Sequence, residues 1–180
     1  MCTIINDFVA QGYGCLTLQP DEVRELVPGS LAKINPQGPK VCVGAGTGLG
    51  ECYLTPTGHC TYTCFPSEGG HVEWAPRDDG IQVKLFQYLK NKFRSKKRIS
   101  VERVVSGRGL ANVYEFLAQE FPDEVDPDVH KQFLKAGDEQ GKIVAINVKK
   151  GTLCEKAMEI MMRYVLCEPY FDCFCFTQNV

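Results

Sequence analysis

Apolar residues in the second half of the chain return every third or fourth position. Ile81, Leu85, Leu89 and Phe93, broadened by Val83 and Phe86, predict an amphipathic helix over Ile81 to Lys92. Leu110, Val113, Leu117 and Phe121 predict a second, starting near Gly109. A third runs from Leu153 to Val165 on Leu153, Ala157, Ile160, Met161 and Tyr164. Thr152 and Glu155 precede it with the spacing of a capping box, in which side chains and backbone N–H groups satisfy one another at a helix start. Between Lys142 and Val148 the sequence allows a short strand.

The first half follows a shorter period. Cys2 to Phe8 reads as an apolar strand ending in Asn6-Asp7, and Pro20-Asp21-Glu22-Val23 as a helix start whose acidic pair suits the positive end of the helix dipole. Gly29 and the stretch from Pro36 to Pro39 punctuate the chain. Val41-Cys42-Val43 reads as a buried strand entering Gly44-Ala45-Gly46-Thr47-Gly48-Leu49-Gly50. Beyond it, Glu51 to Thr55 and Cys60 to Phe65 are rich in Tyr, Thr, Cys and Phe and flank Pro56-Thr57-Gly58-His59, which predicts strand, turn, strand. That hairpin excludes a dinucleotide-binding turn, which needs a third glycine where Leu49 stands and a helix after it.

At 180 residues the chain fits one domain with a real core. A net charge of -2 gives no general attraction to nucleic acid, so a small polar ligand is the simpler expectation. Lys90, Lys92, Arg94, Lys96, Lys97 and Arg98 form the one basic cluster, but only Phe93 interleaves with it, and it reads as a solvated helix end. The ten cysteines are irregularly spaced and no charged-then-apolar leader precedes them, which points to reduced thiols in a cytoplasmic protein. No apolar run reaches the ~18 residues of a membrane span; Val165 to Phe176 is broken by Glu168, Pro169 and Asp172. Cys52, His59, Cys60, Cys64 and His71 lack the paired knuckle spacing of a zinc site, and no protein-held metal is expected.

Candidate chemistry gathers in four segments. In Glu68-Gly69-Gly70-His71, two glycines let a carboxylate and an imidazole turn toward one small ligand, an arrangement suited to sugar hydroxyls. The loop from Gly44 to Gly50 offers backbone N–H groups unshielded by side chains, with the Thr47 hydroxyl, as a cradle for phosphate. Asn6-Asp7 and Ser100-Val101-Glu102-Arg103-Val104-Val105-Ser106-Gly107 complete the set. Taken singly, each has a plainer reading: a turn at Asn6-Asp7, an ordinary glycine turn, a buried satisfied imidazole at His71, and a solvent-facing Glu102 in a helical turn beginning at Ser100.

Together these segments resemble the bacterial-type glucokinase family, ATP-dependent sugar kinases of the actin-like, ribonuclease-H-like fold. Val72-Glu73-Trp74-Ala75-Pro76 is similar to the glucokinase branch and not to the zinc-bearing sugar kinases. The resemblance implies a partial α/β fold with a β-hairpin around the glycine-rich loop and a mainly helical second half. It implies Asp7 as the catalytic base that takes the proton of the sugar's 6-hydroxyl, and Asn6, Asp7, Glu68, His71 and Glu102 as glucose ligands. Gly44, Ala45, Gly46, Thr47, Gly48 and Gly50 would hold the phosphates of ATP, with Mg2+ carried by those phosphates and water. A cytoplasmic enzyme is implied, with no nucleic-acid or membrane partner and with room for a homodimer.

The departures are as specific as the matches. Nothing corresponds to the family's opening Asp-x-Gly-Gly-Thr turn or to its later Gly-Gly adenosine segment, and the likeness fades after Val165. The expected organisation is therefore a partial glucokinase domain over 1–165 and a divergent tail over 166–180, from a truncated gene model, a retained intron, a changed frame or an unusual native end. The expected function is ATP-dependent phosphorylation of glucose, weak or absent in this chain. A non-catalytic sugar-binding or regulatory remnant is the alternative.

Overall fold

A computed structural model of the protein describes residues 4–24, 35–58, 61–77, 80–95 and 97–165. Cys2, Gly29, His59, Cys60, Lys96 and the tail 166–180, on which several expectations rest, lie outside the described residues. The described chain is α/β, with a three-stranded sheet and six α-helices, and it divides into two compact units. One comprises the described residues up to Gly44 with Gly50–Gly69, the other Ala45–Leu49 with the described residues from Gly70 onward.

In the first unit, helix α1 (Asp7–Cys15) packs on a sheet of order β1-β2-β3, formed by β1 (Lys40–Ala45), β2 (Leu49–Gly58) and β3 (Thr61–Ser67). The expected hairpin is present and longer than its apolar runs. Strands β2 and β3 pair antiparallel from Glu51 opposite Ser67 to Gly58 opposite Thr61, with an irregularity between Pro56 and Gly58. Period-two alternation buries Cys52 and Leu54 and turns Tyr53 outward, where it stacks on its cross-strand partner Phe65 at 5.2 Å. The small core is Cys42, Cys52, Leu54 and Cys64, with Phe8, Val9, Cys15 and Tyr62 against it. Helix and sheet approach so closely at Gly12 that a Cβ there would lie 2.6 Å from the Cys52 sulfur and 2.7 Å from that of Cys64.

Over the described residues 4–8, the opening strand read from Cys2 to Phe8 is not found. Ile4 and Ile5 are exposed, and Asp7 and Phe8 begin α1. The physical reason is Asn6: its side chain accepts the Val9 N–H at 3.1 Å, capping a helix where a strand-ending turn was read. Asp7 thus stands in a first helical turn, not at the carboxyl end of a strand. The helix start read at Pro20 is a single 3-10 turn, Pro20–Glu22. Of the strand Val41-Cys42-Val43, only Cys42 is fully buried.

The second unit is helical: α2 (Ile81–Lys92), α3 (Gly107–Glu120), α4 (Pro127–Lys135), α5 (Gln140–Ile146) and α6 (Leu153–Val165). Helices α2 and α6 run over the residues their periodicity predicts. Helix α3 is the hub, packed against α2, α5 and α6, with Leu110, Val113, Tyr114, Phe116 and Leu117 buried. Trp74, Leu85, Leu89, Phe133, Val144, Leu153 and Ala157 fill the same core. The strand allowed between Lys142 and Val148 is instead α5. Val144 is fully buried while Ile146 and Val148 are exposed, and Gly141 presses so closely on the Gly107 backbone that any side chain there would collide. Packing on the start of α3 has overridden a β-branched composition.

Candidate functional site

The glycine-rich loop lies at the junction of the two units in sequence, and its stem belongs to the first. Phe8, the residue after Asp7, turns its ring onto the backbone of both Gly44 and Gly50. A Cβ on Gly44 would stand 2.7 Å from Phe8 Cζ, and one on Gly50 would overlap the ring. These glycines admit an aromatic side chain; their φ angles are not positive, a conformation that glycines among the described residues adopt at Gly137 and Gly151. Asp7 is exposed, and its Oδ1 accepts the Phe8 N–H at 2.9 Å.

Ala45 to Leu49 belong to the second unit, where the loop is pinned at three points. The Gly107 N–H at the start of α3 donates to the Gly46 carbonyl at 2.8 Å. The Leu49 N–H donates to Glu102 Oε2 at 3.1 Å. Gly70 packs against the Leu49 carbonyl with no room for a side chain. Glu102 reaches the loop from a 3-10 turn, Val101–Arg103, anchored by the buried Val101, Val104 and Val105. Ser106, fully buried, locks that turn to α3: its hydroxyl donates to the Glu102 carbonyl and accepts the Gly109 N–H, both at 2.8 Å.

His71 and Glu102 come together through the backbone. The Val101 N–H donates to the Val72 carbonyl at 3.0 Å and the Trp74 N–H to the Ile99 carbonyl at 2.8 Å, an antiparallel bridge with Glu73 opposite Ser100. His71 ends a 3-10 turn, Gly69–His71, and is exposed, whereas Glu102 is half-buried. Asn6, Asp7 and the exposed Glu68 belong to the first unit; Gly46, Thr47, Gly48, His71 and Glu102 belong to the second.

The loop tip fits an anion. Gly46 and Thr47 are exposed, and a Cβ built on Gly46 would meet no heavy atom within 4 Å. Open backbone and a hydroxyl can therefore face phosphate, while the Leu49 N–H is already engaged by Glu102. Among the described residues, no group of three or more His, Cys, Asp or Glu side chains is placed to hold a metal ion.

Sequence reasoning missed Phe8, Ser106 and Glu51. The Glu51 carboxyl, on β2, accepts the Ser67 hydroxyl at 3.3 Å and occupies the space a Gly69 side chain would need. Burial raises its pKa above the ordinary 4.5, and the Ser67 hydrogen bond opposes that shift. An unbroken strand sequence ahead of a Gly-Gly pair carries no local sign of such a contact.

The described α/β fold is that of solved sugar kinases. The solved glucokinase of an Antarctic psychrotroph superposes with a TM-score of 0.64 over 96% of this chain and 51% of that one, at 20% identity, which establishes the fold. The glucokinase of Balamuthia mandrillaris, solved in complex with glucose, matches with a TM-score of 0.58 and 25% identity over 77% of this chain and 37% of its own. In sequence, the glucokinase family profile covers residues 1–166. Glucokinase of Synechocystis sp. is 39% identical over 170 residues, 88% of this chain and 46% of the relative. That of Nostoc punctiforme is 46% identical over 125 residues, 67% and 35% respectively. The chain belongs to the glucokinase family. It spans less than half the length of these two relatives.

Proposed function

We propose that this chain carries the glucose-binding segments and one phosphate loop of a glucokinase, an enzyme that transfers the γ-phosphoryl group of ATP to the 6-hydroxyl of glucose. Asn6, Asp7, Glu68, His71 and Glu102 bind the sugar hydroxyls, and Gly44, Ala45, Gly46, Thr47, Gly48 and Gly50 face the phosphates. Asp7 accepts the proton of the 6-hydroxyl as its oxygen attacks phosphorus and ADP departs, a positioned-base contribution of ~10²- to 10⁴-fold. Magnesium bound to the ATP phosphates would neutralise charge developing on them. Residues 1–165 form the family part and 166–180 a divergent tail, and the setting is cytoplasmic. No helix among the described residues is long and apolar enough to cross a membrane.

The observation that carries this reading is the bond between Leu49 and Glu102, which joins a carboxylate of the sugar type directly to the loop of the phosphate type. A site built on hydrogen bonds to hydroxyls rejects analogues that lack them, because its own polar groups are left unpaired. The test is glucose 6-phosphate formation by the chain beside thermal shift with glucose. Turnover abolished by Asp7→Ala supports the enzyme, and turnover unchanged by that substitution removes Asp7 from the mechanism. Stabilisation by glucose without turnover favours the non-catalytic remnant, and no stabilisation by any hexose refutes both.

A further inference from the structure

Four cysteines far apart in sequence meet in the first unit. Cys15 ends α1, Cys42 lies on β1, Cys52 on β2 and Cys64 on β3. The Cys15 and Cys42 sulfurs are 3.8 Å apart, and those of Cys52 and Cys64 both press on the backbone of Gly12. All four are free thiols. Three are buried, at 3%, 1% and 8% exposure for Cys42, Cys52 and Cys64, as small apolar residues would be between a helix and a sheet this close. Cys15 differs: it is half-buried at the edge of the cluster, reachable from solvent, and in contact with a buried thiol.

We propose that Cys15 and Cys42 form a redox pair, converted by a low-molecular-weight disulfide of the glutathione class into an intramolecular disulfide that ties the end of α1 to β1. The Cys15 thiolate attacks one sulfur of the external disulfide; that S–S bond breaks and the first small thiol leaves, taking a proton from solvent. Cys42 then loses its proton to solvent and attacks Cys15 Sγ. The new Sγ–Sγ bond forms as the mixed disulfide breaks, and the second small thiol leaves. Two protein thiols are oxidised and one external disulfide is reduced to two thiols.

The order of events follows from access and acidity. Burial and the neighbouring Cys15 and Cys52 push the Cys42 thiol far above the usual thiol range, and burial with Cys52 beside it pushes Cys64 up to about 11. Neither supplies much thiolate at neutral pH, so neither competes with Cys15 for an external disulfide. Cys42 acts because closure is intramolecular, between atoms already in contact. The sulfurs need to approach from 3.8 Å to the ~2.05 Å of a disulfide, which side-chain rotation supplies. Cys52 lies beside both Cys42 and Cys64 but, at 1% exposure, is out of reach of an external disulfide.

The fully reduced chain, incubated with glutathione disulfide, alkylated and mapped by mass spectrometry, tests the pair. The expected product is a cross-linked Cys15–Cys42 peptide, reversed by dithiothreitol. Cys42→Ser should halt the reaction at a stable glutathione adduct on Cys15, and Cys15→Ser should leave Cys42 unmodified in the folded chain. A glutathione adduct that accumulates on Cys15 in the unsubstituted chain, a cross-link joining Cys52 to Cys64, or an unmodified Cys15 would each overturn the proposal. The assay reads covalent chemistry alone, so its outcome is independent of whether the chain binds glucose.

Discussion

Replacing Gly48 with alanine puts a methyl group where the Glu102 carboxylate lies. The three heavy atoms nearest that Cβ all belong to Glu102: Oε2 in overlap, Cδ at 3.2 Å and Cγ at 3.8 Å. Glu102 must swing away, and the Leu49 N–H loses its charged acceptor. A charge-assisted hydrogen bond contributes about 1.5–3 kcal/mol, and overpacking costs about 1–3 kcal/mol. These describe one displacement seen twice, not two independent losses. Because the pair is only part-buried, we expect about 2 kcal/mol. At ~2–4 °C per kcal/mol for a chain of this size, the melting temperature should fall by roughly 4–8 °C.

The assay is a double-mutant cycle by urea unfolding with Glu102→Ala. In that background nothing remains for the new methyl to meet, and the φ at Gly48 is one alanine tolerates, so Gly48→Ala should change stability by at most about 0.5 kcal/mol. The expected coupling is therefore about 1.5 kcal/mol or more. Additive costs would show that Gly48 is glycine for some reason other than Glu102, and the pinned-loop account would fail.

Two further predictions concern the other unit. Gly50→Ala should destabilise by about 2–3 kcal/mol through collision with the Phe8 ring, and Phe8→Leu should recover part of that loss in urea unfolding; no recovery would refute the contact. Burial raises the Glu51 pKa, so the fold favours its neutral form: that contribution is full below about pH 4.5 and is lost as pH rises through the folded value. Glu51→Gln should accordingly gain melting temperature relative to the unsubstituted chain as pH rises from about 4 to about 8, whereas a difference that shrinks over that range would reverse the assigned sign.

The division between what was legible in the sequence and what was not follows the range of the forces involved. Helices α2 and α6 and the β2–β3 hairpin rest on local periodicity and turn chemistry; the helices lie where the sequence places them, and the hairpin is present with Pro56 to Gly58 in its strand and not its turn. Helix α1 was misread because Asn6-Asp7 serves equally as a strand-ending turn or a helix cap, and only the exposure of Ile4 and Ile5 separates the two. In segment 142–148, Val144, Ile146 and Val148 alternate like a strand, while the close approach of Gly141 to Gly107 that accompanies the helix spans more than thirty positions.

The glycine-rich loop is the sharpest case, since the motif signals only part of what its residues do. Read locally, its glycines mean flexible backbone and bare N–H groups. In the structure Gly44 and Gly50 make room for Phe8, and Gly48 makes room for Glu102. Gly46, alone among the four loop glycines, has open space where its side chain would be. Within the second unit the loop is pinned by Gly107, Glu102 and Gly70, so Ala45 to Leu49 are already shaped before any ligand arrives, which lowers the ordering cost of binding. Substitutions at Gly44, Gly48 and Gly50 should therefore act first on stability, and those at Gly46 and Thr47 first on phosphate affinity. Each glycine's role is set by a partner side chain elsewhere in the chain, and no reading of the motif alone could have told them apart.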